Sequence, residues 1–225
     1  MDLLDNPAWG ALVSGNSQLA YGNKNVKYFD ANVSPFVGLR ETTEDNFRIL
    51  YELIPHNGTV CFATPVKKPI PYPWGTVHCI EGLQMIYRGD VQSEDVDLAV
   101  VSLTREHVPQ MIELTKLTKP GPFGNRTIEF GHYEGIFDGD QLIAMTGQRF
   151  HIDQYMEISA VCTHPDYRGK GYARQLMIRQ INRIIAASGV PFLHVRYGND
   201  NAIRVYEDLG FIKRTDMIFY FLRKR

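Results

Sequence analysis

Cysteine is scarce in this chain: Cys61, Cys79 and Cys162 are the three among 225 residues. They are too few and too scattered for a disulfide framework, so a reducing, cytoplasmic compartment is expected. Neither C-x-x-C nor H-E-x-x-H occurs, and the spacing gives no metal site. Long hydrophobic runs are also missing; none approaches the ~18 residues that would span a bilayer. The start, MDLLDNPAW, has two acids and no basic segment, which does not read as a secretory signal. An excess of one charge is lacking too, with 24 Lys+Arg against 25 Asp+Glu. A duplex-binding surface is normally strongly basic, so nucleic acid is not an expected partner, and neither is a membrane. The 44 % hydrophobic content excludes disordered and collagen-like classes.

The charge is unevenly spread. Residues 1–100 hold 7 basic and 12 acidic side chains, and the remainder holds 17 and 13. Basic residues gather at Arg168, Lys170, Arg174, Arg179 and Arg183, and again at Lys213, Arg214, Arg223, Lys224 and Arg225. Such clusters serve either as solvated faces or as local attraction for one anionic ligand.

The first half is hard to read. Gly, Asn, Ser and Pro interrupt residues 14–38. Thr42 or Thr43 caps an expected helix through DNFRILYELI, with Glu44 and Asp45 in its first turn. Thr59–Ala63 and Gln84–Tyr87 read as short strands, 65–75 as a proline-rich loop, and Arg88–Val96 as a linker. The expected division is 1–95, a smaller α/β region, and 96–225.

The second half is clearer. Strands are expected at Leu98–Leu103, His132–Phe137, Gln141–Thr146, Tyr155–Thr163, Phe192–Tyr197 and Ile218–Leu222. Helices are expected at Arg105–Leu117, Lys170–Ser188 and 200–209. This alternation gives an α/β fold, a mixed sheet with helices packed on it.

The segment Thr163–Ala173, T-H-P-D-Y-R-G-K-G-Y-A, ends a strand and opens a helix. Gly169 and Gly171 let a ligand approach the backbone, and the first N–H groups of the helix lack intrahelical partners. A pyrophosphate fits such a place, beside Arg168 and Lys170. Neither a Walker A loop nor a Rossmann fingerprint is present. On G-x-G alone, a plain strand–turn–helix link is the preferred reading of the segment.

Its neighbours add to that. Arg168, Gly171 and Ala173 resemble motif A of the GCN5-related N-acetyltransferases (GNAT), [Q/R]-x-x-G-x-[G/A]. Asn201–Phe211, NAIRVYEDLGF, resembles motif B of that family at the right separation. The stretch Glu157–Pro165 resembles the strand before motif A, and its wording is similar to the FR47-like subgroup. The resemblance covers roughly 96–225 by the element order it requires. It leaves open whether residues 1–95 are a degenerate second copy.

The resemblance implies a GNAT acyl-CoA N-acyltransferase fold in the C-terminal half. Acetyl-CoA would lie where two central parallel strands splay apart, near a bulge at the end of the first. The cofactor-binding residues it implies are Val161, Cys162 and Thr163 along the pantetheine arm, then Arg168, Gly169, Lys170, Gly171, Tyr172, Ala173 and Arg174 at the pyrophosphate, with Asn201 across the gap. Glu157 would be the catalytic base and Tyr206 the acid that meets the leaving thiolate. The implied reaction is attack of a primary amine, of a small molecule, on the thioester. A longer acyl-CoA donor and a non-catalytic acyl-CoA-binding module stay open as alternatives, as do monomer and homodimer. Acceptor-lining candidates are Phe123, Glu129, His132, Arg149 and Tyr155. Cys162 and His164 share a strand face, but direct transfer needs no thiol nucleophile.

Overall fold

The computed structural model describes residues 2–94 and 98–225. The expected boundary at 95/96, and the end of the expected linker, lie outside the described residues. The first part holds α1 (Pro7–Val13), β1 (Ala20–Gly22), β2 (Val26–Phe29), β3 (Phe36–Leu39), α2 (Glu44–Leu53), β4 (Val60–Thr64) and β5 (Trp74–Tyr87). The second holds β6 (Val101–Ser102), α3 (Val108–Thr118), β7 (Glu134–Asp138), β8 (Gln141–Ile152), β9 (Tyr155–Thr163), α4 (Tyr172–Ala186), β10 (Val190–Arg196), α5 (Asp200–Leu209) and β11 (Phe211–Lys224). The fold is a mixed α/β arrangement, as expected.

Local chemistry explains the helix ends. The Thr43 hydroxyl accepts the Asn46 N–H at 3.2 Å, which caps α2. Before α3, Thr104 and His107 form a capping box around one 3₁₀ turn. That helix therefore starts three residues later than the expected Arg105. Lys119, in the left-handed region at φ 52°, ends it.

Among the described residues, eleven strands form one sheet, in the order β1-β2-β3-β4-β11-β5-β10-β9-β8-β7-β6. The order is mirrored about the β11/β5 pair. On one side β3 and β4 are parallel and joined by α2; on the other β9 and β10 are parallel and joined by α4. Each part of the chain gives its last strand to the other. β5 lies between β10 and β11, and β11 lies between β5 and β4. Gly82 permits a close approach of β5 to β10, since a Cβ there would stand 2.4 Å from the Val195 carbonyl oxygen.

Several expected strands change length. Gln84–Tyr87 grows into the 14-residue β5, and Ile218–Leu222 into the 14-residue β11. Most of the added residues are polar or exposed, and the buried Trp74, Leu83, Phe211 and Met217 are too widely spaced to mark a strand; ladder partners hold these stretches. Conversely, Leu98–Leu103 keeps a two-residue strand, Val101–Ser102.

The sheet curls. Phe150 on β8 stacks on Phe29 of β2 at 6.1 Å and meets Phe36 of β3 edge-on at 5.1 Å, although five or more strands lie between. Helices α1 and α3 fill the concave face with Leu12, Met111, Phe192 and Met217. Helices α4 and α5 cover the convex face over Leu83, Met85, Ile178, Leu193 and Phe211. Burial of each such side chain contributes about 1.5–3 kcal/mol.

The swapped strands generate a prediction. Residues 98–225 expressed alone lack β5 and leave β10 and β11 as apolar edges. That fragment should aggregate or lose cooperative unfolding, and co-expression with residues 1–94 should restore a soluble complex; circular dichroism melts and light scattering test this. A well-folded monomeric fragment would contradict it.

Candidate active site

The site begins where the ladder between β9 and β10 stops. Their last pair is Glu157↔Phe192, yet β9 continues to Thr163 and β10 to Arg196. Beyond that pair the two strands diverge into an open gap. A bulge shapes it: between Gly147↔Ser159 and Met145↔Cys162, β9 uses one residue more than β8, and Ala160 takes φ 53°. This is the expected splay and the expected bulge.

At the gap's outer end the chain turns through His164–Gly171 into α4. His164 Nδ1 accepts the Asp166 N–H at 3.3 Å and starts a single 3₁₀ turn. Gly169 and Gly171 then take φ 76° and 81°, with nothing near where a Cβ would point. Among the described residues, no acceptor takes the N–H groups of 169–174. These N–H groups and the α4 dipole make an anion cradle. Arg168, Lys170 and Arg174 are exposed around it without ion pairs among the described residues. Lys170 Nζ rests 4.9 Å from the Tyr167 ring. The other two members of that basic run differ. Arg183 binds Glu134 at 2.8 Å and Arg179 binds Glu94 at 2.9 Å, so they serve internal pairing.

The inner residues divide by face. Cys162 is buried toward α3, and burial pushes its thiol up to about 12. That disfavours the thiolate and removes Cys162–His164 as a nucleophilic pair. Cys162 can therefore meet a ligand in the gap only through its backbone, between the half-buried Val161 and Thr163. Across the gap, Tyr206 on α5 packs edge-on against Phe211 at 6.3 Å. Burial, and to a lesser extent Cys162, raise its phenol above the ordinary range. Its hydroxyl makes no hydrogen bond among the described residues. Asn201 is exposed in the first turn of α5.

Glu157 stands at the gap's apex and is 0 % exposed. Arg149 Nε and Nη2 donate to its two oxygens at 2.7 and 2.5 Å, and His194 Nδ1 lies 2.6 Å from Oε1. Burial alone would raise its carboxyl, but Arg149 and then His194 outweigh that and lower it to about 2. The expected base is thus a paired carboxylate that takes no proton near neutrality. Arg149, expected to line the acceptor site, is its partner instead, held between the Phe36 and Phe150 rings at 4.7 and 4.8 Å. The other acceptor candidates scatter. Phe123 packs on Tyr133, Glu129 pairs with Arg126, His132 stacks on His151, and Tyr155 joins the concave core.

Sequence reading missed His194 and Gln84, and placed Arg214 merely in a basic tail. Gln84 Oε1 accepts from Arg214 Nη1 at 2.9 Å, so its Nε2 donates to the Leu4 carbonyl at 2.8 Å and to His194 Nε2 at 3.0 Å. These directions select the tautomer in which His194 Nδ1–H donates to Glu157. A polar residue amid the apolar strand Pro191–Val195 was the available signal.

Comparison with known proteins bears on the family and the fold. Residues 133–220 match the FR47-like protein family. A solved structure of a GNAT-family acetyltransferase from Novosphingobium aromaticivorans is 32 % identical, covers 100 % of both chains and superposes with a TM-score of 0.92. Mycothiol acetyltransferase of Corynebacterium efficiens is 32 % identical over 86 residues, 38 % of this chain and 29 % of that protein. N-alpha-acetyltransferase RimI of Mycobacterium tuberculosis is 32 % identical over 84 residues, 36 % of this chain and 51 % of that protein. The chain thus spans about half or less of the length of these two relatives. It belongs to the GNAT family of acetyltransferases.

The buried carboxylate makes stability depend on pH. Its folded value lies below its unfolded one, so its contribution is full above the unfolded value and is lost as pH falls toward about 2. Denaturant midpoints measured from pH 7 down to pH 2 should fall for the wild type by an amount equivalent to a few kcal/mol from this group, because each tenfold change in proton affinity is worth about 1.4 kcal/mol. Glu157→Gln should be less stable at neutrality and show a shallower fall. Parallel curves would refute the assignment.

Proposed function

We propose that this protein is an acetyl-CoA-dependent N-acetyltransferase that acts on a primary amine of a small molecule by direct attack in a ternary complex. The observation that carries the reading is the splay of β9 from β10 leading to a run of unpaired N–H groups at 169–174. An anionic pyrophosphate suits that turn, and an extended pantetheine arm suits the free edge of Val161–Thr163. Arg168, Lys170 and Arg174 add charge, and Asn201 offers a polar contact from α5.

Membership of the family supports the acyl donor. Positioning in the gap comes first in this chemistry. Tyr206 then donates a hydrogen bond to the leaving sulfur. Its raised phenol stays protonated, and because a thiol is the stronger acid, stabilisation by hydrogen bond is favoured over full proton transfer. Glu157 acts as a fixed charge at the apex, and the amine's proton leaves to water through the open end of the gap.

We further infer that residues 2–94 are a degenerate copy of the same fold. The mirrored strand order and the β3–α2–β4 unit support this. That unit retains no phosphate turn. Glu44 and Asp45 occupy the first turn of α2, and the Thr43 hydroxyl already takes one of its free N–H groups. An anion would meet repulsion there.

Two measurements test the reading. Calorimetric titration with acetyl-CoA should show binding that a bulky residue at position 171 abolishes, since its φ of 81° and open approach are both lost. Tyr206→Phe should lower turnover about 10²-fold with little change in binding. Absence of acetyl-CoA binding by the wild type, or an unchanged rate in Tyr206→Phe, would overturn the corresponding assignment.

A further inference from the structure

One row of polar side chains crosses the concave face over five neighbouring strands: Arg214 on β11, Gln84 on β5, His194 on β10, Glu157 on β9 and Arg149 on β8. Every neighbour in the row is joined by a hydrogen bond of 3.0 Å or less. At the β11 end, Arg214 continues to Asp2 and Asp5 at 2.6 and 2.8 Å. Bulges aim the two arginines. Arg214 is an extra residue in β11 opposite Met85/Gln84, and Arg149 lies in a stretch of β8 with one residue more than β9.

The row crosses β9 and β10 where their backbone ladder ends. Glu157 is the last paired residue of β9, and His194 lies two beyond Phe192 on β10. The Glu157–His194 bond is therefore a side-chain rung that closes the apex of the gap. Phe192, Phe150 and Ile152, in the same concave core, are fully buried.

We propose that this row determines acyl-chain length: the rung stops the gap at its apex, so acetyl is accepted while butyryl and longer chains are rejected. The inference rests on the reading of this gap as the acyl-CoA site. A longer chain extending inward from the thioester must lie against a carboxylate, an imidazole and a guanidinium. Insertion would separate them and leave a buried charge without its partner. An apolar pocket discriminates poorly against one extra methylene, whereas buried polar groups left unpaired discriminate strongly. Acyl length is thereby set by the five-strand row and not by one bulky side chain.

The test is calorimetric affinity for CoA, acetyl-CoA, butyryl-CoA and hexanoyl-CoA, in the wild type, His194→Ala and His194→Asn. In the wild type, hexanoyl-CoA should bind at least about tenfold more weakly than acetyl-CoA. His194→Ala should bring that ratio close to one. His194→Asn retains an N–H toward Glu157 and should keep most of the discrimination. Equal wild-type affinity across the acyl series would overturn the proposal even if both variants failed to fold. An unchanged ratio in a folded His194→Ala protein would also overturn it. Loss of discrimination with CoA binding intact leaves the functional reading standing, whereas no CoA binding by the wild type would remove both together.

Discussion

A carboxylate removed from water has to be met by charge, and the centre of this molecule is organised around that requirement. Glu157 is 0 % exposed, and its two oxygens take donors from Arg149 and His194. A lone buried ion of this kind would cost several kcal/mol, so its partners must hold their geometry. Arg149 reaches it only because β8 bulges; the guanidinium is then wedged between two phenyl rings. His194 is held in turn by Gln84, and Gln84 by Arg214 and the Leu4 carbonyl. The requirement of one side chain thus reaches the first residues of the chain, far away in sequence.

The same requirement explains why the two parts of the chain are interleaved. Gln84 belongs to β5, from the first part, and it stands between His194 and Arg214 from the second. Without β5 the row would be cut at its middle and β10 would lose its outer neighbour. Residues 2–94 therefore contribute to the gap through its wall. They supply one strand of its wall and the hydrogen bonds that orient a histidine at its apex. Conversely, the first part keeps a parallel β3–α2–β4 unit whose acidic first turn suits a capped helix and not an anion. The glycine turn before α4 has no counterpart before α2.

What was legible in the sequence follows from which interactions are local. The turn at 168–173, the strand Tyr155–Thr163 and the helix after it are specified by glycines, periodicity and end signals within a few residues, and each stands where it was expected. β1, β2 and β3 were not found, because strands of three or four residues among Gly, Asn and Pro carry no period to count. The lengths of β5 and β11 were hidden for another reason. Their outer halves exist because each pairs with the other across a long stretch of intervening chain. The partners of Glu157 were hidden by the bulges themselves. A bulge breaks the two-residue alternation, so Arg214 reads as part of a solvated basic cluster and Arg149 as a lining residue of an acceptor site, when both turn inward to the row.

The division of labour between backbone and side chain gives the last step. At the outer end of the gap, glycines at φ 76° and 81° expose N–H groups in a conformation that residues with a Cβ rarely adopt. Recognition at that end depends on backbone conformation, which a short motif can encode. At the inner end the reverse holds. The ladder has stopped, and only side chains are left to fix the distance between β9 and β10. Those side chains come from five strands and have no common motif. A family signature therefore reports the outer end, where a local backbone conformation is specified within a few residues. The inner end is written in scattered residues, and only the folded sheet brings them into one row.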